Sequence, residues 1–254
     1  MTVRSLALAS SILALSLADA QAQCRLPDHG TARAAVVPDG RTIVLEDGRE
    51  ILLAGIESAP AWREAQPELA RRVLGRPLTL KGLSRQADRY GRLTAFVAAG
   101  DADKPVQYAL LRDGLVRAAG AGEWPGCRTE LLSEERKARA ARLGLWSDPG
   151  YDIGRADDPA AIATGRGQFA MIEGQVLSVR DSGGTIYVNF GQRWSEDFTA
   201  TIPKRLEGRF TSANLNLRSL AGRRVRIRGV IEERGGPWIE VSRPDQIEFA
   251  ESKQ

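Results

Sequence analysis

The chain has 254 residues, of which 43% are hydrophobic and 27% are charged. This composition excludes a wholly disordered chain and a bundle of membrane helices. The formal charge of +4 mildly favours polyanionic partners, and the length fits two domains of about 100 residues each.

Residues 1–22 have the pattern of a cleaved export signal. Arg4 supplies a positive start, residues 5–17 form an apolar and small-residue run, and small residues alternate in 18–22. The apolar run is shorter than the about 20 residues that cross a bilayer. We therefore predict a periplasmic or secreted protein whose mature chain has no membrane span.

The two cysteines, Cys24 and Cys127, fit one disulfide in an oxidising compartment. Even with the single histidine, His29, they leave a structural zinc site one ligand short. His29 lies in a stretch that reads as a solvated turn, which disfavours catalysis by a histidine-activated nucleophile.

After the signal we predict a first domain over residues 23–147, made of strands and helices. Asp39-Gly40 and Asp47-Gly48 separate the first three strands as tight turns that tolerate positive φ. Leu69, Val73 and Leu74 form the apolar stripe of the first helix. The predicted strands are 34–37, 42–45, 50–56, 78–80 and 93–97, and the predicted helices are 61–74, 106–115 and 129–143.

Residues 148–167 have the Gly-, Asp- and Pro-rich composition of a linker. Beyond it, strand patterns resume over residues 168–250 and predict a second, small OB-like β-barrel domain. The predicted strands are 169–180, 185–190, 198–202, 223–231 and 238–241. The fold class is thus mainly β with helices.

Several motifs in the first domain occur in one order and at one spacing. They are Asp39-Gly40-Arg41-Thr42, Leu53-Ala54-Gly55-Ile56-Glu57, Asp88-Arg89-Tyr90-Gly91-Arg92-Leu93, Leu111-Arg112-Asp113-Gly114-Leu115 and Gly144-Leu145-Trp146. With them, residues of about 30–147 resemble the staphylococcal nuclease (thermonuclease) family. The resemblance implies a five-stranded OB-type barrel with three helices, and an activity that hydrolyses phosphodiester bonds with Ca²⁺.

The resemblance also shows which chemical groups have been exchanged. Arg41 stands at the position of the family's first metal-binding aspartate, and Leu52 at that of its first phosphate-binding arginine. Glu57 replaces the second metal-binding aspartate, and Pro60 replaces the general base. Arg92 alone stands where the family has the same residue, so Arg92 and Glu57 are the candidate remnants of a catalytic site.

Arg41 decides our expectation about the metal, because a guanidinium at a metal position repels Ca²⁺. We expect no cofactor, with Glu57 a metal ligand only if a site persists, and we assign Arg41 to ligand binding. An ion pair between Arg41 and Glu57 is an alternative, and Arg92 has the alternative role of bracing a turn. If Glu57, or Glu64 on the following helix, served as the base, a metal-dependent nuclease with a rearranged site would be the alternative.

The second domain contributes a candidate binding surface. In the strand 223–231, period-two alternation places Arg224, Arg226 and Arg228 on one face. Together with the aromatic residues Tyr187, Phe190 and Trp194, this face could bind single-stranded nucleic acid. The alternative is a solvated outer face of arginines with the aromatic rings in the core.

The function that these observations favour is a binding module for nucleic acid or another polyanion on a thermonuclease-like scaffold. An active metal-dependent nuclease is the first alternative. A protein-interaction module of the cell envelope is the second.

Overall fold

The computed structural model describes residues 24–120 and 124–250. The predicted signal peptide lies outside the described residues. We refer below to residues 24–147 as the N-terminal region and to residues 148–250 as the C-terminal region.

The N-terminal region is built on a closed five-stranded barrel. The strands of the whole region are β1 (Asp28–Val36), β2 (Thr42–Leu45), β3 (Glu50–Leu53), β4 (Gly55–Glu57), β5 (Pro77–Lys81), β6 (Leu93–Ala99) and β7 (Arg117–Gly120). The barrel order is β1-β2-β3-β6-β5, and β4 pairs with β7 in a separate ribbon. Alternate residues such as Ile43 and Leu45 on β2, and Ile51 and Leu53 on β3, are buried in the barrel.

Three helices pack around this barrel: α1 (Ala65–Val73), α2 (Val106–Arg112) and α3 (Arg128–Ala140). The barrel and helices confirm the predicted fold of the first domain. Helix α1 buries Ala65, Leu69 and Val73, which are spaced four residues apart. The prediction that Leu74 belongs to this stripe is wrong, because Leu74 is the C-cap of the helix, has extended backbone and exposes its side chain.

A disulfide joins Cys24 to Cys127, as predicted. It ties the segment before β1 to the residue that immediately precedes α3, and Cys127 is buried against the barrel core. The N-terminal end of the described chain is therefore fastened to the helical side of the fold.

The C-terminal region forms two sheets around a second core. Its elements are β8 (Gly154–Arg155), α4 (Pro159–Thr164), β9 (Phe169–Gln175), β10 (Ser178–Ser182), β11 (Thr185–Asn189), β12 (Thr199–Pro203), α5 (Glu207–Ser212), β13 (Arg224–Val230), β14 (Glu232–Arg234), β15 (Gly236–Glu240) and β16 (Ile247–Phe249). One sheet has the order β10-β11-β12-β15-β14 and the other β16-β13-β9-β8. The prediction that this region is rich in β-strands is confirmed, while its classification as OB-like stays a prediction.

The segment 148–167 has more structure than a linker composition suggests. Strand β8 pairs in parallel with β9, and Ala156 and Ile162 are buried in the C-terminal core. Asp158 caps α4, with Oδ1 accepting a hydrogen bond from the N–H of Ala161. These Asp, Pro and Gly residues therefore form caps and tight turns, and the proposed domain boundary stays a prediction.

The two regions also share a small apolar cluster. Ala138 of α3 and the nearby Leu145 and Trp146 pack with Met171 of β9, all buried.

Within the described part of the chain, no helix has the length and apolarity needed to cross a membrane.

Candidate functional site

The candidate site lies where the turn before β2 meets α1. Asp39 holds this turn, since its Oδ1 accepts hydrogen bonds from the N–H groups of Arg41 and Thr42, both at 2.8 Å. Gly40 does not adopt positive φ, in contrast to our expectation, whereas Gly48 does, with φ of 84°. A Cβ on Gly40 would lie 2.6 Å from Cβ of Ala65, so the close approach of the turn to α1 requires glycine here.

Arg41 and Glu57 form an ion pair at the position where the family resemblance implies a metal. Arg41 Nη1 donates to Glu57 Oε2, which joins the residue before β2 to the last residue of β4. About a quarter of each side chain is exposed. The ion pair that the sequence offered as an alternative is thus present.

The environment of Glu57 acts on its ionisation in two directions. Burial raises the pKa of Glu57, and the nearby charge of Asp39 raises it further, while Arg41 and Arg92 lower it. The net shift is upward, because desolvation is the largest of these effects. Arg41, Asp39, Glu57 and Arg92 therefore belong to one electrostatic cluster.

Arg92 braces the loop before β6. Its Nε and Nη2 donate to Asp88 Oδ2 at 2.9 and 2.8 Å, and Asp88 Oδ1 accepts from the N–H groups of Tyr90 and Arg92. The hydrogen bond from Arg92 lowers the pKa of Asp88. The turn-bracing role expected as an alternative is present, and a phosphate-binding role for Arg92 stays a prediction.

Leu52, Pro60 and Glu64 are the other three residues that the sequence singles out at this site. Leu52 offers no polar side-chain atom, Pro60 is exposed, and Glu64 is exposed at the start of α1. Among the described residues, no group of three or more acidic, histidine or cysteine side chains could hold a metal ion.

Calcium requires about six to eight oxygen ligands. Here the carboxylate of Asp39 is bonded to its own turn and that of Glu57 to the guanidinium of Arg41. The residues present at this site therefore do not fit Ca²⁺.

The prediction of an exposed row of arginines is wrong for Arg228. Its side chain is fully buried, with Nη1 donating to Glu135 Oε2 at 3.0 Å and to the carbonyl of Ala118 at 2.7 Å, and Nη2 donating to Glu248 Oε2 at 2.8 Å. Period-two alternation correctly identified the face of the strand. It could not show that α3 and β7 of the N-terminal region cover that face.

Arg224 and Arg226 are also paired, both to Glu173 on the neighbouring strand β9, at 2.7 and 2.6 Å. Only Arg224 is largely exposed; Arg226 keeps 18% of its side chain exposed. The three arginines thus face the junction with the N-terminal region and its edge. Binding of nucleic acid by Arg224 and Arg226 stays a prediction.

The aromatic residues assigned to the same surface lie elsewhere. Tyr187 belongs to β11 of the other sheet and Trp194 to the loop after it, and both are exposed. Phe190 instead packs on Phe198, with ring centroids 5.1 Å apart, against the C-terminal core. The predicted combination of arginine row and aromatic rings is therefore not formed.

Sequence reasoning missed the partner of Arg228. This partner is Glu135 of α3, which is fully buried and also accepts a hydrogen bond from the N–H of Ala118. The available signal was weak, because α3 has few apolar residues and its hydrophobic face is not distinct.

Parts of this chain are similar in sequence to a known protein family and to a fungal protein. Residues 57–148 match the family described as staphylococcal nuclease homologue. A protein named probable endonuclease LCL3, from Verticillium alfalfae, is 30% identical over 126 residues, which cover 44% of this chain and 43% of the fungal protein. The match thus spans less than half of that relative, and Arg41 precedes the segment matched by the family.

Proposed function

Because the chain contains a staphylococcal-nuclease-like domain, we propose that it is an exported nucleic-acid-binding protein whose nuclease site is catalytically degenerate. The observation that carries this proposal is the ion pair between Arg41 and Glu57. It supports the loss of catalysis, because a cation occupies the position from which a metal would have to be bound.

The size of the expected loss follows from the chemistry of phosphodiester hydrolysis. Such a site needs a bound cation, a base for water and cationic groups for the developing charge. Loss of one positioned donor costs about 10²–10³ in rate, and general acid–base catalysis contributes about 10²–10⁴. Leu52 and Pro60 add two such losses to that at Arg41.

The same surface retains features suited to binding. Tyr90 is 65% exposed, and the guanidinium groups of Arg89 and Arg92 lie 4.7 and 5.1 Å from its ring centroid. Arg41 belongs to the same electrostatic cluster as Arg92. Guanidinium groups beside an exposed ring can contact phosphate oxygens and an unpaired base.

The decisive experiment measures cleavage and binding on the same purified protein. We expect no Ca²⁺-dependent digestion of single- or double-stranded DNA. We also expect nucleic-acid binding with an association constant whose logarithm falls linearly with the logarithm of salt concentration. Arg92→Ala and Arg41→Ala should weaken binding, while Arg209→Ala on the exposed surface of α5 serves as the control.

Two experimental outcomes would contradict this proposal and favour a different function. Calcium-dependent turnover that chelation stops and Arg92→Ala abolishes would make the protein an active nuclease with a rearranged site. Failure to bind any nucleic acid at low salt, with a protein captured from envelope extracts, would favour a protein-interaction module.

The proposed export rests on the N-terminal sequence pattern and is consistent with the disulfide between Cys24 and Cys127, since disulfides persist in oxidising compartments. Mass determination of the protein from the periplasmic fraction tests it. A mature chain that begins near residue 23 is expected, and a cytosolic chain that retains residues 1–22 would contradict export.

A further inference from the structure

An open groove of 890 Å³ crosses the outer face of the sheet β10-β11-β12-β15-β14. The inner face of this sheet packs on the C-terminal core through residues such as Ile186, Val188 and Ile239. Alternation along the strands therefore turns Tyr187, Thr201 and their neighbours towards the groove.

The register aligns the groove residues in two rows across the strands. Tyr187 pairs with Arg180 on one side and with Thr201 on the other, and Thr201 continues to Glu240. The second row runs from Ser178 through Asn189 and Thr199 to Trp238. Adjacent strands are about 4.8 Å apart, so each row of four residues spans about 14 Å.

Two buried polar atoms in the groove lack partners. Within the described ranges, Thr201 Oγ1 and Trp238 Nε1 make no hydrogen bond, although the residues are only 9% and 7% exposed. Buried polar groups in folded proteins are normally hydrogen-bonded. These two atoms therefore point to a ligand that supplies hydrogen-bonding groups.

Two exposed rings and two cations complete the groove. Tyr187 is 37% and Trp194 is 75% exposed. Within the described residues, Arg180 on β10 and Arg234 on β14 make no ion pair with a carboxylate, and they stand on the two edge strands of this five-stranded sheet. The guanidinium of Arg234 lies 4.7 Å from the ring centroid of Trp238, so a ligand that draws Arg234 aside would uncover the indole.

We propose that this groove binds a short single-stranded oligonucleotide, with Tyr187 and Trp194 stacking on bases and Arg180 and Arg234 contacting phosphates. The inference rests on the proposed nucleic-acid-binding function and names its substrate class and a second site. A duplex is disfavoured, because the faces of its bases are already stacked and only unpaired bases can stack on protein rings.

The charges that line the groove limit how strongly the affinity for an oligonucleotide depends on salt concentration. Asp197 and Glu240 also line the groove, and Oδ2 of Asp197 accepts a hydrogen bond from the N–H of Arg193. Phosphate contacts are thus confined to about two arginines. For single strands this gives a contribution of about −1.4 to the slope of log K against log salt.

The test measures binding of a fluorescent oligo(dT) of about eight nucleotides by the full mature chain, a length within the roughly 4–16 nucleotides bound per OB fold. Trp194→Ala should weaken binding about 5- to 150-fold, the range for one base stacked on one ring. Arg180→Ala should reduce the salt slope by about 0.7. Phe249→Ala and Arg209→Ala, which change an exposed ring and an exposed arginine outside the groove, are the matched controls.

The outcomes separate this inference from the proposed function. If the wild type binds oligo(dT) and the groove variants bind equally well, the groove proposal fails while nucleic-acid binding stands. If the wild type binds no nucleic acid, both fail. Equal affinity for a duplex, or quenching of Trp194 by a neutral oligosaccharide without oligo(dT) binding, also overturns the groove proposal. Because Trp194 is largely exposed, its variant should keep the native circular dichroism spectrum.

Discussion

Arg228 of β13 and Glu135 of α3 are both fully buried and form a salt bridge of 3.0 Å between the C-terminal and N-terminal regions. Glu248 completes the arrangement by accepting from Nη2 of Arg228 at 2.8 Å. A buried charge is tolerated only when it is paired and hydrogen-bonded. Each of these charges is therefore compatible with the packing of the two regions only while its partner is present.

Removing the charge of Glu135 should destabilise the protein strongly. Glu135→Gln keeps the shape of the side chain but leaves Arg228 with one carboxylate partner fewer, which costs about 3–5 kcal/mol for a buried pair. Urea unfolding monitored by tryptophan fluorescence measures the change. Glu233→Gln, which breaks the exposed pair with Arg166, should cost at most about 1 kcal/mol. Equal effects of the two substitutions would contradict the structural role of Glu135.

The buried cluster should also make stability depend on pH. Burial alone would raise the pKa of Glu248, but the charges of Arg228, Arg139 and Arg226 lower it below the ordinary value of 4.5. A carboxyl group with a lowered pKa in the folded state stabilises the protein fully above the unfolded value and loses this contribution as pH falls through its folded pKa.

We therefore expect the free energy of unfolding to fall as pH decreases below about 4.5, with Glu248 one source of the fall. Urea titrations of the wild type and Glu248→Gln between neutral and acidic pH test this point. The difference between the two proteins should narrow below pH 4.5. A difference that stays constant across the range would show that Glu248 does not contribute.

Introducing a carboxylate at position 41 should create weak metal binding. Arg41→Asp removes the ion pair with Glu57 and places a third carboxylate near Asp39 and Glu57. We expect calcium binding with a dissociation constant of about 10⁻⁴–10⁻³ M by calorimetry, the range of weak sites. On the proposed function, turnover by this variant should be low, because Leu52 and Pro60 supply neither the donor nor the base.

The control for this substitution is Arg63→Asp, which makes the same charge change at an exposed residue before α1. Calcium binding by both variants would indicate a general charge effect. Calcium binding by the wild-type protein as tight as by Arg41→Asp would show that Arg41 does not oppose the metal.

The turn that presents Arg41 should be sensitive to one added methyl group. In Gly40→Ala the new Cβ would meet Cβ of Ala65 at 2.6 Å, and such overpacking costs about 1–3 kcal/mol. Gly208→Ala, where a Cβ meets no atom within 4 Å, should be neutral or slightly stabilising. Melting temperatures compare the two, and a Gly40→Ala protein as stable as the wild type would show that the turn can shift.

The features that the sequence predicted correctly depend on short stretches of chain. The strand over 42–45, the turn glycine Gly48 and the spacing of Leu69 and Val73 on α1 depend on local geometry, which neighbouring residues determine. The pairing of Cys24 with Cys127 followed because no other cysteine exists, whereas the pairing of Arg41 with Glu57 was one of two roles that the sequence left open.

Other features were decided only by tertiary packing. The sequence pattern is the same for an exposed arginine row and for a row that a helix covers, so the burial of Arg228 depended on where α3 comes to lie. The aromatic rings of Tyr187 and Trp194 were recognised, but the assignment of β11 and β13 to different sheets separated them from that row. Period and composition determine which side of a strand is polar, whereas the surface that meets that side depends on contacts between residues distant in sequence.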